Sequence, residues 1–123
     1  MSRVVHFEIP TTDPAASRKF YETVFGWTFT KWEGPMEYWL ITTGPDSAPG
    51  INGGLGGAAN GVNGTVNTVD VENIDEALKL ALANGGQVIM PKDEIPGQGW
   101  VAYIKEPGGA VVGLFQTHPD ARM

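Results

Sequence analysis

The feature that most constrains the fold is an internal repeat. The same order of predicted secondary-structure elements occurs twice along the chain, about 60 residues apart. Each copy has the pattern of a strand, then a helix, then three further strands. Few residues are identical between the copies, but chance seldom produces five elements in the same order at one spacing. The repeat therefore predicts two small units of equal architecture.

The first copy begins with a strand pattern over residues 4–9. Asp13 is a suitable helix N-cap, Pro14 suits the first helical position, and Gly26 is placed to end the helix. Ala16, Phe20 and Val24 follow one another at helical spacing within it. Three strand-like stretches come next, at 27–32, 37–42 and 50–55.

The second copy begins with an alternating strand pattern over residues 65–71. Asn73 and Glu76 have the spacing of a capping box, and the pair Gly85-Gly86 ends the predicted helix. The apolar stripe of that helix consists of Ile74, Ala77, Leu78, Ala81 and Leu82. Its three following strands are predicted at 87–90, 99–104 and 110–116.

Together the copies predict a single domain over residues 1–123 of the α+β class. Module one covers 3–57, a glycine- and asparagine-containing linker covers 58–64, and module two covers 65–117. We expect two tandem βαβββ modules to form a curved mixed sheet around a cleft, with the helices on the outer face. Such a cleft is a typical site for a small molecule.

Charge and composition exclude several classes of partner. Eight Lys and Arg residues against 14 Asp and Glu residues give a net charge of −6, and no basic stripe is present. Nucleic acid and anionic membranes are therefore not expected as partners. The absence of cysteine excludes disulfides, a thiol nucleophile and a thiolate metal site. We expect no signal peptide or membrane span, and hence a cytoplasmic protein.

Several segments taken together resemble the vicinal oxygen chelate superfamily, over about residues 4 to 117. The superfamily includes glyoxalases, extradiol dioxygenases, epimerases, fosfomycin-resistance enzymes and bleomycin-resistance binding proteins, so the fold alone narrows function little. The resemblance implies a paired-module domain, often a homodimer, with its pocket on the concave sheet. The segments that carry it are His6–Ile9, Asp13-Pro14, Phe20–Trp27, Val71–Leu78, Gly85-Gly86 and Glu106–Gly109.

Metal-dependent members of that superfamily place one ligand on the first and one on the fourth strand of each module. His6 matches the first position here, but the other three fall near Gly53, Val66 and Gly113. Shifting the alignment by about two residues either way brings in no imidazole or carboxylate at those three places. A divalent ion requires about three such ligands, so we expect no metal and no other cofactor.

Strand alternation selects the candidate binding residues. If His6 faces the cleft then Glu8 does too, and Thr68 occupies the matching face of the second module. Trp39 and Trp100 lie in equivalent third strands and suit a stacking pocket for a flat or cationic ligand. A solvated carboxylate and ordinary sheet packing are the alternatives for Glu8 and the tryptophans. The predicted ligand-binding set is His6, Glu8, Trp39, Asn52, Thr68 and Trp100.

Three functions are consistent with this sequence. The first is a metal-independent small-molecule binding protein, favoured by the missing metal ligands. The second is a lyase, isomerase or dioxygenase-type enzyme acting on a small carbonyl compound, for which no catalytic residue is assigned. The third is a structural or regulatory partner that uses its sheets as a dimer surface.

Overall fold

The computed structural model describes residues 1–57 and 64–119. The predicted linker therefore lies, apart from Gly64, outside the described residues. Two compact units are present: His6–Thr65 makes up the first unit, and Met1–Val5 with the chain from Val66 onward makes up the second.

The first unit contains a mixed sheet in the order β2-β3-β4-β1. Strands β1 and β4 are parallel, with Glu8 opposite Gly54, while β4 with β3 and β3 with β2 are antiparallel. Its elements are β1 (Arg3–Thr11, of which the part from His6 onward belongs to this unit), α1 (Pro14–Phe25), β2 (Thr28–Lys31), β3 (Tyr38–Thr42) and β4 (Asn52–Gly57).

The second unit repeats this arrangement in the order β5-β8-β7-β6. Strands β5 and β8 are parallel, and the other two neighbouring pairs are antiparallel. Its elements are β5 (Val66–Asp70), α2 (Ile74–Ala83), β6 (Gln87–Ile95), β7 (Gly99–Lys105) and β8 (Val111–Thr117). The predicted α+β class with two βαβββ modules is thus confirmed.

The predicted helix ends are present. The side chain of Asp13 accepts a hydrogen bond from the Ala16 N–H at 3.0 Å, and Asn73 accepts one from Glu76 N–H at the same distance. Gly26 ends α1 in the left-handed region at φ 74°, which glycine adopts without a steric penalty. These caps satisfy backbone groups that a helix leaves unpaired at its ends.

The two helices differ in how they use their apolar residues. Ile74 of α2 is buried in a core with Val71, Ala102 and Leu114. In α1 no residue is buried, and Phe20 and Val24 are 55% and 54% exposed. Several residues of α1 do meet the rest of the first unit: Tyr21 stacks on Trp27, Arg18 lies on Trp39, and Ser17 hydrogen-bonds Thr11 of β1. Among the described residues, neither helix is long and apolar enough to span a membrane.

Candidate functional site

The sheet of the first unit has two chemically different faces, set by strand alternation. On the face toward α1, Phe7 contacts Trp27 and Trp39 contacts Arg18. The opposite face carries the alternate residues His6 and Glu8 of β1 and Tyr38 of β3. This opposite face is where polar side chains of different strands meet.

Three side chains converge there on one carboxylate oxygen. Tyr38 donates its hydroxyl proton to Glu8 Oε1 at 2.7 Å, and His6 Nε2 lies 2.7 Å from the same oxygen. His6 Nε2 is also 3.3 Å from the Tyr38 hydroxyl. His6 and Glu8 are only two residues apart on β1, so their side chains lean toward each other across the pleat. We call these three residues the His6–Glu8–Tyr38 cluster.

The contact with Glu8 allows a tautomer to be assigned to His6. An ionised carboxylate only accepts hydrogen bonds, so the nitrogen that faces Glu8 Oε1 carries the proton. In the neutral ring, Nδ1 is then an acceptor. The cluster therefore offers a carboxylate and an imidazole nitrogen as acceptors on one surface.

Two glycines of β4 make room for Tyr38. A Cβ atom added at Gly54 would collide with the Tyr38 hydroxyl and ring, and one added at Gly56 would come within 3.2 Å of that ring. The ring thus lies over bare backbone, which lets its hydroxyl reach Glu8. The glycines of β4 therefore have a packing role, because they allow the Tyr38 ring to approach the backbone closely.

Trp32 adds a second aromatic ring beside Tyr38. The two ring centroids are 6.0 Å apart at an interplanar angle of 81°. The backbone N–H of Trp32 also donates a hydrogen bond to the backbone carbonyl of Tyr38 at 2.8 Å. Edge-to-face contact of this kind fixes ring orientation. Tyr38 and Trp32 were not among the predicted site residues. Ile41 is buried and shares one face of β3 with Trp39, so Tyr38 lies on the other face.

The structure places two of the predicted residues of the first unit away from this cluster. Trp39 lies beneath Arg18 on the α1 side of the sheet. Asn52 accepts hydrogen bonds from the backbone N–H of Thr43 at 2.9 Å and from its hydroxyl at 3.3 Å, and so joins the ends of the β3–β4 connection. We leave both residues out of the cluster because their contacts hold the scaffold.

The predicted residues of the second unit have packing contacts as well. Thr68 is buried, and its hydroxyl lies close to Gly113. Trp100 packs against the core of that unit and stacks on His118, with ring centroids 5.1 Å apart. A separate shallow depression of about 290 Å³ is lined by Met1, Ser2, Asp70 and Glu72, and it includes none of the predicted ligand-binding residues.

Comparison with known proteins agrees with this architecture. Residues 3–44 match the family described as bleomycin resistance protein-like N-terminal. A curated relative from Mycobacterium tuberculosis, named "Putative glyoxylase CFP32", is 32% identical over 117 residues, which are 90% of this chain and 44% of that protein. Together these matches support membership of the vicinal oxygen chelate superfamily. It spans less than half the length of the curated relatives that it matches.

Solved structures of the superfamily share the fold at low sequence identity. A glyoxalase/bleomycin resistance protein/dioxygenase superfamily member from Vibrio splendidus has a TM-score of 0.64 at 20% identity, over 96% of this chain and 100% of that one. Methylmalonyl-CoA epimerase from Mycobacterium tuberculosis has a TM-score of 0.67 at 15% identity, over 97% and 90% of the two chains. At these identities the likeness establishes the fold alone.

The metal site found in part of this superfamily was tested against the side chains present. Within residues 1–57 and 64–119, no three His, Cys, Asp or Glu side chains lie close enough to hold an ion. His6 and Glu8 are bonded to each other, and Gly54 lies opposite Glu8 on β4. The other three expected ligand positions, near Gly53, Val66 and Gly113, have no imidazole or carboxylate side chain. These residues do not fit a divalent-metal site.

Proposed function

We propose that this chain is a metal-independent small-molecule binding domain of the vicinal oxygen chelate superfamily, and that the ligand contacts the His6–Glu8–Tyr38 cluster. The observation that carries the proposal is the meeting of three side chains at Glu8 Oε1. Small-molecule sites combine apolar surface with a few oriented polar groups. The cluster provides oriented polar groups on a rigid strand scaffold.

The cluster is accessible as well as ordered. The side chains of His6 and Glu8 are 31% and 21% exposed, so a ligand can reach them while the strands still hold them in place. Tyr38 and Trp32 stand beside them as two rings at nearly right angles. A ligand with a flat apolar part and a hydrogen-bond donor would meet the rings and the carboxylate together.

The first experiment is a thermal-shift screen of the purified protein against a library of metabolites and antibiotics, with hits confirmed by calorimetric titration. We expect at least one compound whose affinity falls about tenfold in Glu8→Gln and in Tyr38→Phe, the loss of one hydrogen bond to a charged group. Tyr21→Phe is the matched control, since Tyr21 lies on α1, where its ring stacks on Trp27. Binding that is the same in all three variants would refute the proposed site.

An enzyme is the second candidate function, and a specific contact favours it. The 2.7 Å contact between His6 Nε2 and Glu8 Oε1 is the geometry by which a carboxylate orients an imidazole for proton transfer. The cluster would then move a proton on a small carbonyl compound without any metal. Incubation of each confirmed ligand in deuterated buffer, followed by NMR, separates the candidates: exchange or conversion that His6→Gln abolishes establishes an enzyme, and an unchanged ligand establishes a binder.

A further inference from the structure

Arg18 and Trp39, both half-buried, are in contact on the α1 side of the first unit, away from the His6–Glu8–Tyr38 cluster. The guanidinium carbon of Arg18 lies 3.9 Å from the centroid of the Trp39 ring, a distance typical of a cation–π contact. Arg18 Nε and Trp39 Nε1 are both shielded from solvent, and neither has a hydrogen-bond acceptor among the described residues. Shielded N–H groups normally have an acceptor, so two such groups in one contact indicate a missing partner.

A second cation occupies the same face of the sheet. Lys31 of β2 is opposite Trp39 of β3 in the antiparallel register, and residues paired in this way project to the same side. Arg18 approaches that side from α1. Two cationic side chains and an indole therefore lie on one side of the β2–β3 pair.

These cations lack the acidic partners that the chain could supply. The first unit has three Lys and Arg residues against six Asp and Glu residues, yet no ion pair of Arg18 or Lys31 occurs within residues 1–57 and 64–119. Glu22 follows Arg18 by one helical turn on α1, a spacing that often gives an ion pair, and no such pair forms. In an acidic unit, two unpaired cations at one place favour an external anion.

We propose that Arg18, Lys31 and Trp39 form a binding site for a small oxyanion, of the phosphate or carboxylate class, independent of the ligand site on the opposite face. Arginine presents several N–H donors in one plane, which suits an anion with two or more oxygens, and the lysine supplies a second charge. The indole N–H provides a directional donor. Binding gives acceptors to the two shielded N–H groups, and it requires the guanidinium to move enough to admit an oxygen.

Inorganic phosphate, sulfate and acetate are the probes, each titrated against sodium chloride at equal ionic strength. We expect a saturable rise of the melting temperature with at least one oxyanion and none with chloride. The apparent affinity should fall at least tenfold in Arg18→Gln and in Lys31→Gln, and about threefold in Trp39→Phe, which replaces the indole by a smaller aromatic ring without an N–H.

Lys19→Gln is the matched control. Lys19 is exposed and adjacent to Arg18 on α1. Its substitution removes the same charge as Arg18→Gln, and we expect it to leave the oxyanion affinity unchanged. Equal losses in Lys19→Gln and Arg18→Gln would show that general electrostatics accounts for binding and would overturn the proposal. The same holds if chloride matches the oxyanions.

The indole resonances give a readout that does not depend on stability. The chain has four tryptophans, and Trp39→Phe identifies which indole N–H signal belongs to Trp39 in a nitrogen–proton correlation spectrum. Phosphate should move that signal further than the other three in the wild-type protein. A Trp39 signal that stays in place at saturating oxyanion would overturn the proposal even if Arg18→Gln failed to fold.

Discussion

The hydroxyl of Tyr38 donates to Glu8 Oε1 at 2.7 Å, although the two residues are 30 positions apart and lie on strands that are not neighbours. Strand β4 lies between them, and its glycines leave the space through which Tyr38 reaches across. The cluster therefore depends on three strands at once.

Replacing Tyr38 by phenylalanine tests this contact directly. We expect Tyr38→Phe to lower the free energy of unfolding by about 1 kcal/mol, because a hydrogen bond to a partly exposed charged group is lost. Chemical denaturation measures the change. Tyr21→Phe should change it by less, and an equal loss in both variants would contradict a special role for the Tyr38 hydroxyl.

Replacing Gly54 by alanine should displace Tyr38. The added methyl group would overlap the Tyr38 hydroxyl and ring, so we expect a destabilisation of about 1–3 kcal/mol and weaker ligand binding. Gly57→Ala on the same strand is the control, since a Cβ there has no neighbour within 4 Å. Denaturation midpoints of the two variants measure the difference. If they match, Gly54 has no such packing role.

The turn before β8 should contribute a pH-dependent part of the stability. Backbone N–H groups of Ala110, Gly108 and Gly109 hold the pKa of Glu106 below its usual range. A depressed folded-state pKa stabilises the protein above the unfolded-state value of about 4.3, and this contribution is lost as the pH falls through the folded-state pKa.

Melting curves of the wild type and Glu106→Gln between neutral and acidic pH check that prediction. The variant keeps an acceptor but does not ionise, so the difference in melting temperature should be constant near neutral pH. This difference in melting temperature should become smaller at pH values below the range in which carboxyl groups ordinarily ionise. A difference that grows in acid would have the wrong sign for this cause.

We expect the purified protein to carry no stoichiometric zinc, nickel, manganese or iron, because only His6 and Glu8 in the cluster could coordinate an ion. A chelator should leave the melting temperature unchanged. Elemental analysis and a chelator titration test these expectations. One ion per chain whose removal lowers the melting temperature would overturn the proposal of metal-independent binding.

A homodimer is the expected assembly, and the exposed apolar residues Phe20, Val24 and Phe25 of α1 are the surface we propose for it. Light scattering coupled to gel filtration should report a dimer for the wild type and a monomer for Phe20→Glu. Leu80→Glu on α2 is the control, because Leu80 is equally apolar and 64% exposed. A wild-type monomer at micromolar concentration would refute this assembly. The expected cytoplasmic location stays a prediction, which cell fractionation can test.

The helix boundaries were predictable because their signals are local. Asp13, Asn73 and Gly26 act on backbone groups within one helical turn, so the sequence around each position contains all the partners involved. The pairing of His6 with Glu8 on one face was likewise predictable from strand alternation. Strand alternation does not predict which face of the sheet a given residue of a distant strand occupies.

The aromatic part of the site shows that limit. Trp39 was predicted to bind ligand as a large ring in the third strand, and Tyr38, its neighbour in sequence, is the residue that meets Glu8. A shift of one residue exchanges the two faces of a strand. Two glycines spaced by one residue, Gly54 and Gly56, were the available sign that a ring lies over β4 from an adjacent strand.

The amino-acid sequence by itself determined the repeated βαβββ plan, the helix caps and the lack of coordinating residues at three of the four expected metal-ligand positions. Each of these follows from residue type and short-range spacing. Only the tertiary structure decided that Tyr38 joins His6 and Glu8, and that Arg18 covers Trp39. The physical reason is that hydrogen bonds and ring contacts between strands and helices depend on register and on the space left by neighbours. Neither quantity is contained in any single segment of the chain.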